Sequence, residues 1–160
     1  MEKDKILRIL QAVTDPEIPV LTLQDLGVIR EVHLNKGGEV EVVITPTYTG
    51  CPALDMMEVC IKSVLQEQGY QRVKVSTVLS PAWTTDWLSE AAKEKLKVYG
   101  IAPPIGSAGK YSLLGNDTKV ECPQCGSMNT EMVSQFGSTA CKALFQCREC
   151  LEPFDYFKCH

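Results

Sequence analysis

Histidine is nearly absent from this chain of 160 residues, which contains only His33 and His160. A hydrolytic triad built around histidine therefore has little support. The sequence also lacks a glycine-rich nucleotide-binding motif, an HExxH metalloprotease motif and a GxSxG nucleophile elbow. These absences argue against the enzyme classes that such motifs identify.

Positive charge is also scarce, because 20 acidic residues outnumber 16 basic ones and the formal charge is −4 at pH 7. No basic stripe is available for phosphate contacts, so we expect no nucleic-acid partner. No apolar run is long enough to cross a bilayer, and the charged N-terminal segment lacks the apolar core of a signal peptide. We therefore expect a cytoplasmic protein without a membrane partner, whose eight cysteines are not joined in disulfides.

Two CxxC pairs dominate the C-terminal quarter of the sequence. Cys122 and Cys125 form the first pair, and Cys147 and Cys150 follow after 21 intervening residues. Two such turns at this separation predict a tetrahedral four-thiolate site with a structural role, because four protein ligands leave no open position. Zinc is the metal expected in such a ribbon, but a rubredoxin-like iron centre uses the same ligands. Strands predicted at 130–135 and 139–146 complete a zinc ribbon of about 40 residues, too small to fold without its metal.

Cys51 lies between a predicted strand, 40–44, and a helix predicted to begin at Pro52. That position is at or beside the helix N-cap, where free N–H groups and the helix dipole lower the pKa of a thiol. The sequence therefore predicts an accessible, reactive thiolate, and the alternative is an inert cysteine packed in a loop corner. We expect Cys60 and Cys141 to be packed thiols. Cys159 belongs to a frayed terminus or to a second metal site.

The remaining hydrophobic patterns predict an α-β-β-α-β-α order before the ribbon, and thus an α+β fold. A helix stopped by residues 15–19 precedes a hairpin of strands 28–34 and 40–44, with Leu34 on its apolar face. A third strand, 73–79, follows the helix that begins at Pro52, and the last helix is capped by Asp86. Trp83 and Trp87 either anchor a partner or cover the end of the sheet. The predicted domains are 1–102 and 120–160, joined by a linker at 103–119.

Two sets of motifs resemble known families. Residues 15–19 (DPEIP), 25–27 (DLG) and 45–52 (TPTYTGCP) resemble the small iron–sulfur maturation domain of SufT-like bacterial proteins and eukaryotic cytosolic targeting factors. The C-terminal run that begins at CPQCGS, with YGIAPP at 99–104, resembles the PaaD family, also called PaaJ. That family accompanies the phenylacetyl-CoA epoxidase of bacterial phenylacetate catabolism. The resemblance covers essentially the whole chain.

The resemblance implies a non-catalytic accessory factor that assembles or delivers an iron–sulfur cluster. Its implied partners are the epoxidase components, above all the reductase that carries flavin and a [2Fe–2S] cluster, and the iron–sulfur assembly machinery. In this interpretation Cys51 handles the cluster, and Asp15, Glu17 and Asp25 shape its pocket. One cysteine cannot hold a cluster alone, so we expect a second copy in a homodimer, or a client protein, to supply further thiols.

Two alternatives stay open. In the first, the chain is a structural interaction subunit of the epoxidase and Cys51 has no chemical role. In the second, it is a thiol enzyme acting on a CoA thioester, a hypothesis weakened because the sequence shows no general base beside Cys51.

Overall fold

The computed structural model describes residues 2–105 and 119–158. The chain forms two compact units, Met1–Trp83 and Thr84–His160. The α+β class and the predicted order of elements are confirmed. The elements are α1 (Glu2–Leu10), β1 (Ile29–Leu34), β2 (Val40–Ile44), α2 (Leu54–Glu67), β3 (Val73–Thr77), a 3-10 turn (Thr85–Trp87), α3 (Glu90–Tyr99), β4 (Ile101–Ala102), β5 (Thr130–Ser134), β6 (Lys142–Cys147) and β7 (Pro153–Phe157).

The first unit is organised on a three-stranded sheet in the order β1-β2-β3. Strands β1 and β2 form the predicted antiparallel hairpin, and β3 pairs with β2 in parallel, as expected for a strand that follows a helix. Gly38 has φ +75° in the hairpin turn, where a side chain would be strained. Leu34 is an exception to the predicted apolar face, because it lies at the end of β1 beside this turn and is 47% exposed.

Helix α2 begins two residues later than the sequence predicts. Pro52 and Ala53 form a turn, Leu54 is the first helical residue, and the cap residue Ala53 makes no side-chain capping bond. The predicted apolar stripe is present, with Met57, Ile61 and Leu65 buried. The late start matters for the functional site, because it moves Cys51 away from the helix end.

Helix α3 also begins later than predicted. Ser89 is its N-cap and accepts a hydrogen bond from the Ala92 N–H at 3.0 Å, whereas Asp86 lies in the preceding 3-10 turn. Asp86 was therefore the wrong cap, because the chain makes a separate turn, capped by Thr84, before the helix starts. The predicted end at Gly100 is confirmed, with φ +96°.

The second unit contains a four-stranded sheet in the order β4-β7-β6-β5. The hairpin of β5 and β6 is close to the prediction, but β7 was missed because its sequence, PFDYF, is short and begins with proline. Phe145, Phe154 and Tyr156 pack together in the core of this sheet, with the Phe145 ring 5.9 Å from that of Phe154 and 5.4 Å from that of Tyr156.

The predicted domain boundaries at 102 and 120 stay predictions. Residues Ile101 and Ala102 pair in parallel with Asp155 and Tyr156 of β7. Positions 106–118 of the predicted linker lie outside the described residues, as do Cys159 and His160 at the C-terminus. Among the helices that the structure describes, none has the length and apolar character needed to cross a membrane.

Candidate functional site

Cys51 lies in a buried loop between β2 and α2. Residues 45–47 of this loop are buried, and Cys51 itself is only 6% exposed. Its carbonyl oxygen accepts a hydrogen bond from the Leu54 N–H at 3.2 Å, so the residue belongs to the turn before the helix. The prediction of an accessible thiol at the helix end was therefore wrong, since the helix starts three residues further on.

The surroundings of Cys51 favour the protonated thiol. Burial is the largest influence and raises the pKa of Cys51 above its ordinary value. The Ala53 N–H and the Tyr48 hydroxyl donate to the sulfur and oppose this rise, while the carboxylates of Glu17 and Asp15 add to it. The predicted lowering of the pKa of Cys51 was thus also wrong, because burial and two nearby negative charges outweigh the local donors.

Asp15 and Glu17 are the two predicted pocket residues whose charges act on Cys51. Asp15 is 5% exposed, and its Oδ1 accepts hydrogen bonds from the N–H groups of Glu17 and Ile18, both at 2.8 Å. These bonds fix the turn that carries Glu17. Asp15 therefore has a structural task in addition to its electrostatic effect.

Asp25 has a different local role, because it forms a reciprocal cap with Thr22. The Thr22 N–H donates to Asp25 Oδ2, and the Asp25 N–H donates to Thr22 Oγ1, both at 3.0 Å. This pair fixes the short turn that ends at Gly27, where φ is +69°. These bonds account for the DLG motif by its backbone geometry.

Tyr48 and Thr45 are two features of the loop that the sequence did not single out. The Tyr48 hydroxyl reaches the Cys51 sulfur, although no spacing rule predicts that a tyrosine three residues earlier should do so. Thr45 is 1% exposed, and its hydroxyl has no hydrogen-bond partner among the residues that the structure describes. The motif around Cys51 therefore contains one more polar group than its internal hydrogen bonds use.

The structure brings the four predicted ligand cysteines of the ribbon together. The sulfurs of Cys122, Cys125, Cys147 and Cys150 all lie within 4.8 Å of one another. Cys122 Sγ is 3.7 Å from Cys150 Sγ, and Cys125 Sγ is 3.5 Å from Cys147 Sγ. Zinc–sulfur bonds of about 2.3 Å in a tetrahedron place the sulfurs about 3.8 Å apart. The donor set and its spacing therefore fit a tetrahedral metal ion.

Backbone N–H groups in the knuckles prepare the sulfurs for a cation. The N–H groups of Cys150 and Glu149 donate to Cys147 and are the main reason that its pKa falls to about 7. The Glu152 N–H favours the thiolate of Cys150, but burial and the neighbouring sulfurs outweigh it and raise the pKa of Cys150 to about 12. Four thiolates so close together are stable only around a positive ion.

The other singled-out residues have packing roles. Cys141 is 3% exposed and lies 3.0 Å from Thr139 Oγ1, which confirms the predicted packed position. Cys60 is half-buried on α2. Trp83 is 3% exposed and its Nε1–H donates to the Leu26 carbonyl at 2.8 Å, so it belongs to the core and not to a partner surface. Trp87 is partly exposed.

Comparisons with known proteins agree with this division of the chain. Residues 3–77 match the family described as iron–sulfur cluster assembly protein, and residues 106–158 match the PaaD zinc beta ribbon domain. Solved structures support the first match. A domain of unknown function from Bacillus anthracis covers 60% of this chain and 92% of its own, with 26% identity and a TM-score of 0.56. A conserved hypothetical protein from Thermotoga maritima covers 59% and 92%, with 26% identity and a TM-score of 0.51.

Relatives of known name are similar over different shares of the chain. A Porphyromonas gingivalis protein named Fe-S protein maturation auxiliary factor is 36% identical over 59% of this chain and 90% of its own. An Escherichia coli K12 protein, whose name makes it one of the subunits of 1,2-phenylacetyl-CoA epoxidase, is 47% identical over 97% of this chain and 92% of its own. With two domains that match and a relative of this identity over nearly its full length, the chain belongs to the PaaD family.

Proposed function

We propose that this protein is a non-catalytic accessory factor of the phenylacetyl-CoA epoxidase system of aerobic phenylacetate catabolism, which assembles or delivers an iron–sulfur cluster to the reductase component. One observation carries the proposal. A single chain joins an iron–sulfur cluster assembly domain to a PaaD zinc ribbon. The relative that covers both parts is named as an epoxidase component, and relatives that cover 54% to 60% of the chain are named as iron–sulfur maturation factors.

In this proposal Cys51 is the working thiol and the cluster is its cargo. Iron–sulfur clusters are held by thiolates, so Cys51 must lose its proton when it binds. The carboxylates of Glu17 and Asp15 keep the thiol protonated at rest, and an incoming iron centre offsets their negative charge. The Ala53 N–H and the Tyr48 hydroxyl then stabilise the thiolate. The remaining ligands come from a client protein or from a second copy.

The ribbon serves as a metal-stabilised docking module. Cys122, Cys125, Cys147 and Cys150 would hold the metal, for which zinc is proposed, and it would join the two knuckles. Such an ion supplies folding energy and no open coordination position. Clients that include the epoxidase reductase, and a cytoplasmic setting in which thiols stay reduced, belong to the same proposal.

One observation favours a second candidate, a structural interaction subunit. Cys51 is 6% exposed, and a buried thiol suits an architectural role as well as a guarded one. That candidate predicts stable co-purification with the epoxidase and indifference to Cys51→Ala. The raised pKa of Cys51 speaks against a thiol enzyme, because nucleophilic catalysis requires the thiolate.

Anaerobic reconstitution with ferrous iron and sulfide tests the proposal. Iron, sulfide and zinc are counted and the absorption spectrum is recorded for the wild type, Cys51→Ala and the matched control Cys60→Ala, which removes a half-buried thiol on α2. We expect only Cys51→Ala to lose iron, sulfide and transfer to apo-reductase. If none of the three proteins binds a cluster and Cys51→Ala supports epoxidase activity in cells, the interaction role replaces the carrier role.

A further inference from the structure

The edge strands of the two sheets differ in how well they are protected against pairing with another chain. Strand β1 has a bulge between Ile29 and Glu31 and carries the exposed charges of Arg30 and Glu31. Strand β4 has only two residues, and β5 has a bulge between Met132 and Ser134. Short length, bulges and charges are the devices by which proteins protect sheet edges. Strand β3 has five residues and an unbroken register with β2.

The outer edge of β3 consists of unpaired backbone groups. The Val40 N–H donates to the Arg72 carbonyl and the Val78 N–H to the Ile44 carbonyl, both at 2.9 Å. This phase of the parallel ladder directs the even-numbered residues of β3 towards β2 and the odd-numbered ones outwards. Within residues 2–105 and 119–158, no hydrogen bond reaches the outward N–H and C=O groups of Val73, Val75 and Thr77.

The side chains near this edge leave it accessible. Lys74 is 58% exposed and is already paired with Glu41 at 2.9 Å, so its charge does not repel an incoming strand strongly. Just beyond the strand, Val78 is 37% exposed and Leu79 is 54% exposed. An open edge next to exposed apolar side chains is the usual setting for strand addition.

We propose that this edge pairs with β3 of a second copy of the chain, antiparallel and about a two-fold axis that passes through Val75. In this register Val75 faces its own counterpart, and Val73 faces Thr77 of the other copy. Each facing pair exchanges two hydrogen bonds, because all three residues direct both groups outwards. Three facing pairs then form six hydrogen bonds and satisfy every outward group of both strands. The two sheets become one sheet of six strands.

Charge supports a second copy as the occupant. Lys74 faces Ser76 of the other copy in this register, so no like charges lie directly opposite each other. Glu41 Oε1 accepts hydrogen bonds from Lys74 at 2.9 Å and from Ser76 at 2.6 Å. The dimer therefore places the Lys74–Glu41 pair of one copy diagonally beside that of the other, in an alternating arrangement of charges.

The pairing has a consequence for Cys51. Strands β2 and β3 are parallel, so the loop from β2 to Cys51 leaves the sheet at the same end as Thr77. An antiparallel dimer puts the two copies of this end on opposite sides of the two-fold axis. The two Cys51 thiols then cannot share one cluster, and any further ligands must come from a client. The dimer itself follows from the backbone of β3 and does not depend on the proposed function.

Sedimentation and light scattering of the purified protein test the dimer. We expect the mass to rise from 17.7 kDa to twice that value as the concentration increases from about 1 to 100 μM. Val75→Pro removes an outward N–H but leaves the bonds of Lys74 and Ser76 to β2 in place. It should weaken dimerisation by about tenfold or more. A wild type that stays monomeric throughout, or a folded Val75→Pro protein that dimerises normally, would overturn the proposal.

Photo-crosslinking keeps the test decisive if Val75→Pro does not fold. A benzophenone amino acid at Thr77 should give a covalent dimer whose crosslink lies in the peptide that contains Val73. The matched control, the same group at His33 on the β1 edge, should give none. A Thr77 crosslink at any other place, or none, contradicts the register. Iron and sulfide uptake by folded, monomeric Val75→Pro protein then reports on the proposed function separately, because Cys51 is unchanged.

Discussion

The two cysteine sites of this protein solve opposite problems. The ribbon brings four sulfurs within 4.8 Å of one another and surrounds them with backbone N–H donors, so that a cation is required for stability. The loop before α2 buries one sulfur beside two carboxylates, so that the neutral thiol is favoured until a cation arrives. The comparison shows that a CxxC pair determines its own chemistry locally, whereas a single cysteine takes its chemistry from distant parts of the fold.

Removing one ribbon ligand should have the largest effect. Cys147→Ser deletes a buried ligand, and we expect the bound metal to fall from about one ion per chain to almost none, with loss of the β5–β7 fold. Metal analysis and amide hydrogen exchange measure both results. Cys141→Ser is the matched control, since Cys141 is buried in the same unit but lies outside the cluster, and it should keep the metal. Full metal content in Cys147→Ser would remove the four-sulfur site from the comparison.

Asp15 tests how the single-thiol site is built. Asp15→Ala leaves the N–H groups of Glu17 and Ile18 without their acceptor, and we expect a loss of about 2 kcal/mol in the free energy of unfolding. Urea denaturation measures this loss. Asp15→Asn keeps an oxygen in the accepting position and should lose clearly less. Equal losses in the two variants would show that the charge of Asp15, and not its acceptor role, stabilises the turn.

The reactivity of Cys51 measures the electrostatic half of the comparison. Because the pKa of Cys51 is raised, alkylation by iodoacetamide should be slow at pH 7 and should accelerate as the pH rises past the ordinary thiol range. Glu17→Gln removes a negative charge that disfavours the thiolate, so the pKa should fall. At pH 8 the rate should increase by about threefold, which corresponds to about half a pKa unit. Peptide mass mapping follows Cys51 separately from the other thiols.

Reactivity at Tyr48 provides the opposite control. Tyr48→Phe removes a donor that favours the thiolate, so alkylation of Cys51 should slow where Glu17→Gln accelerates it. Changes of the same sign in both variants would indicate that access to the buried sulfur, and not its charge, limits the reaction.

The sequence predicted the ribbon site more fully than the Cys51 site, for physical reasons. Cys122 and Cys125 are brought together by one tight turn, so their spacing alone predicts their geometry. The environment of Cys51 depends on Glu17, which is 34 positions away along the chain, and on a helix start that Pro52 placed two residues too early. Strand β7 was missed because its pairing with β6 outweighs the weak local signal of a proline-led segment.

Leu151 gives the smallest test, within the ribbon itself. Gly126 follows the first CxxC with φ +75°, and Leu151 follows the second with φ +65°, although a leucine is strained in this region. Leu151 is 67% exposed, so it gains little packing that would offset the strain. Leu151→Gly should therefore stabilise the metal-loaded protein by about 0.5 kcal/mol, and Gly126→Ala should destabilise it by a similar or larger amount. Thermal unfolding at saturating zinc measures both changes. A loss of stability in Leu151→Gly would mean that the exposed leucine side chain contributes more to the knuckle than its backbone strain costs.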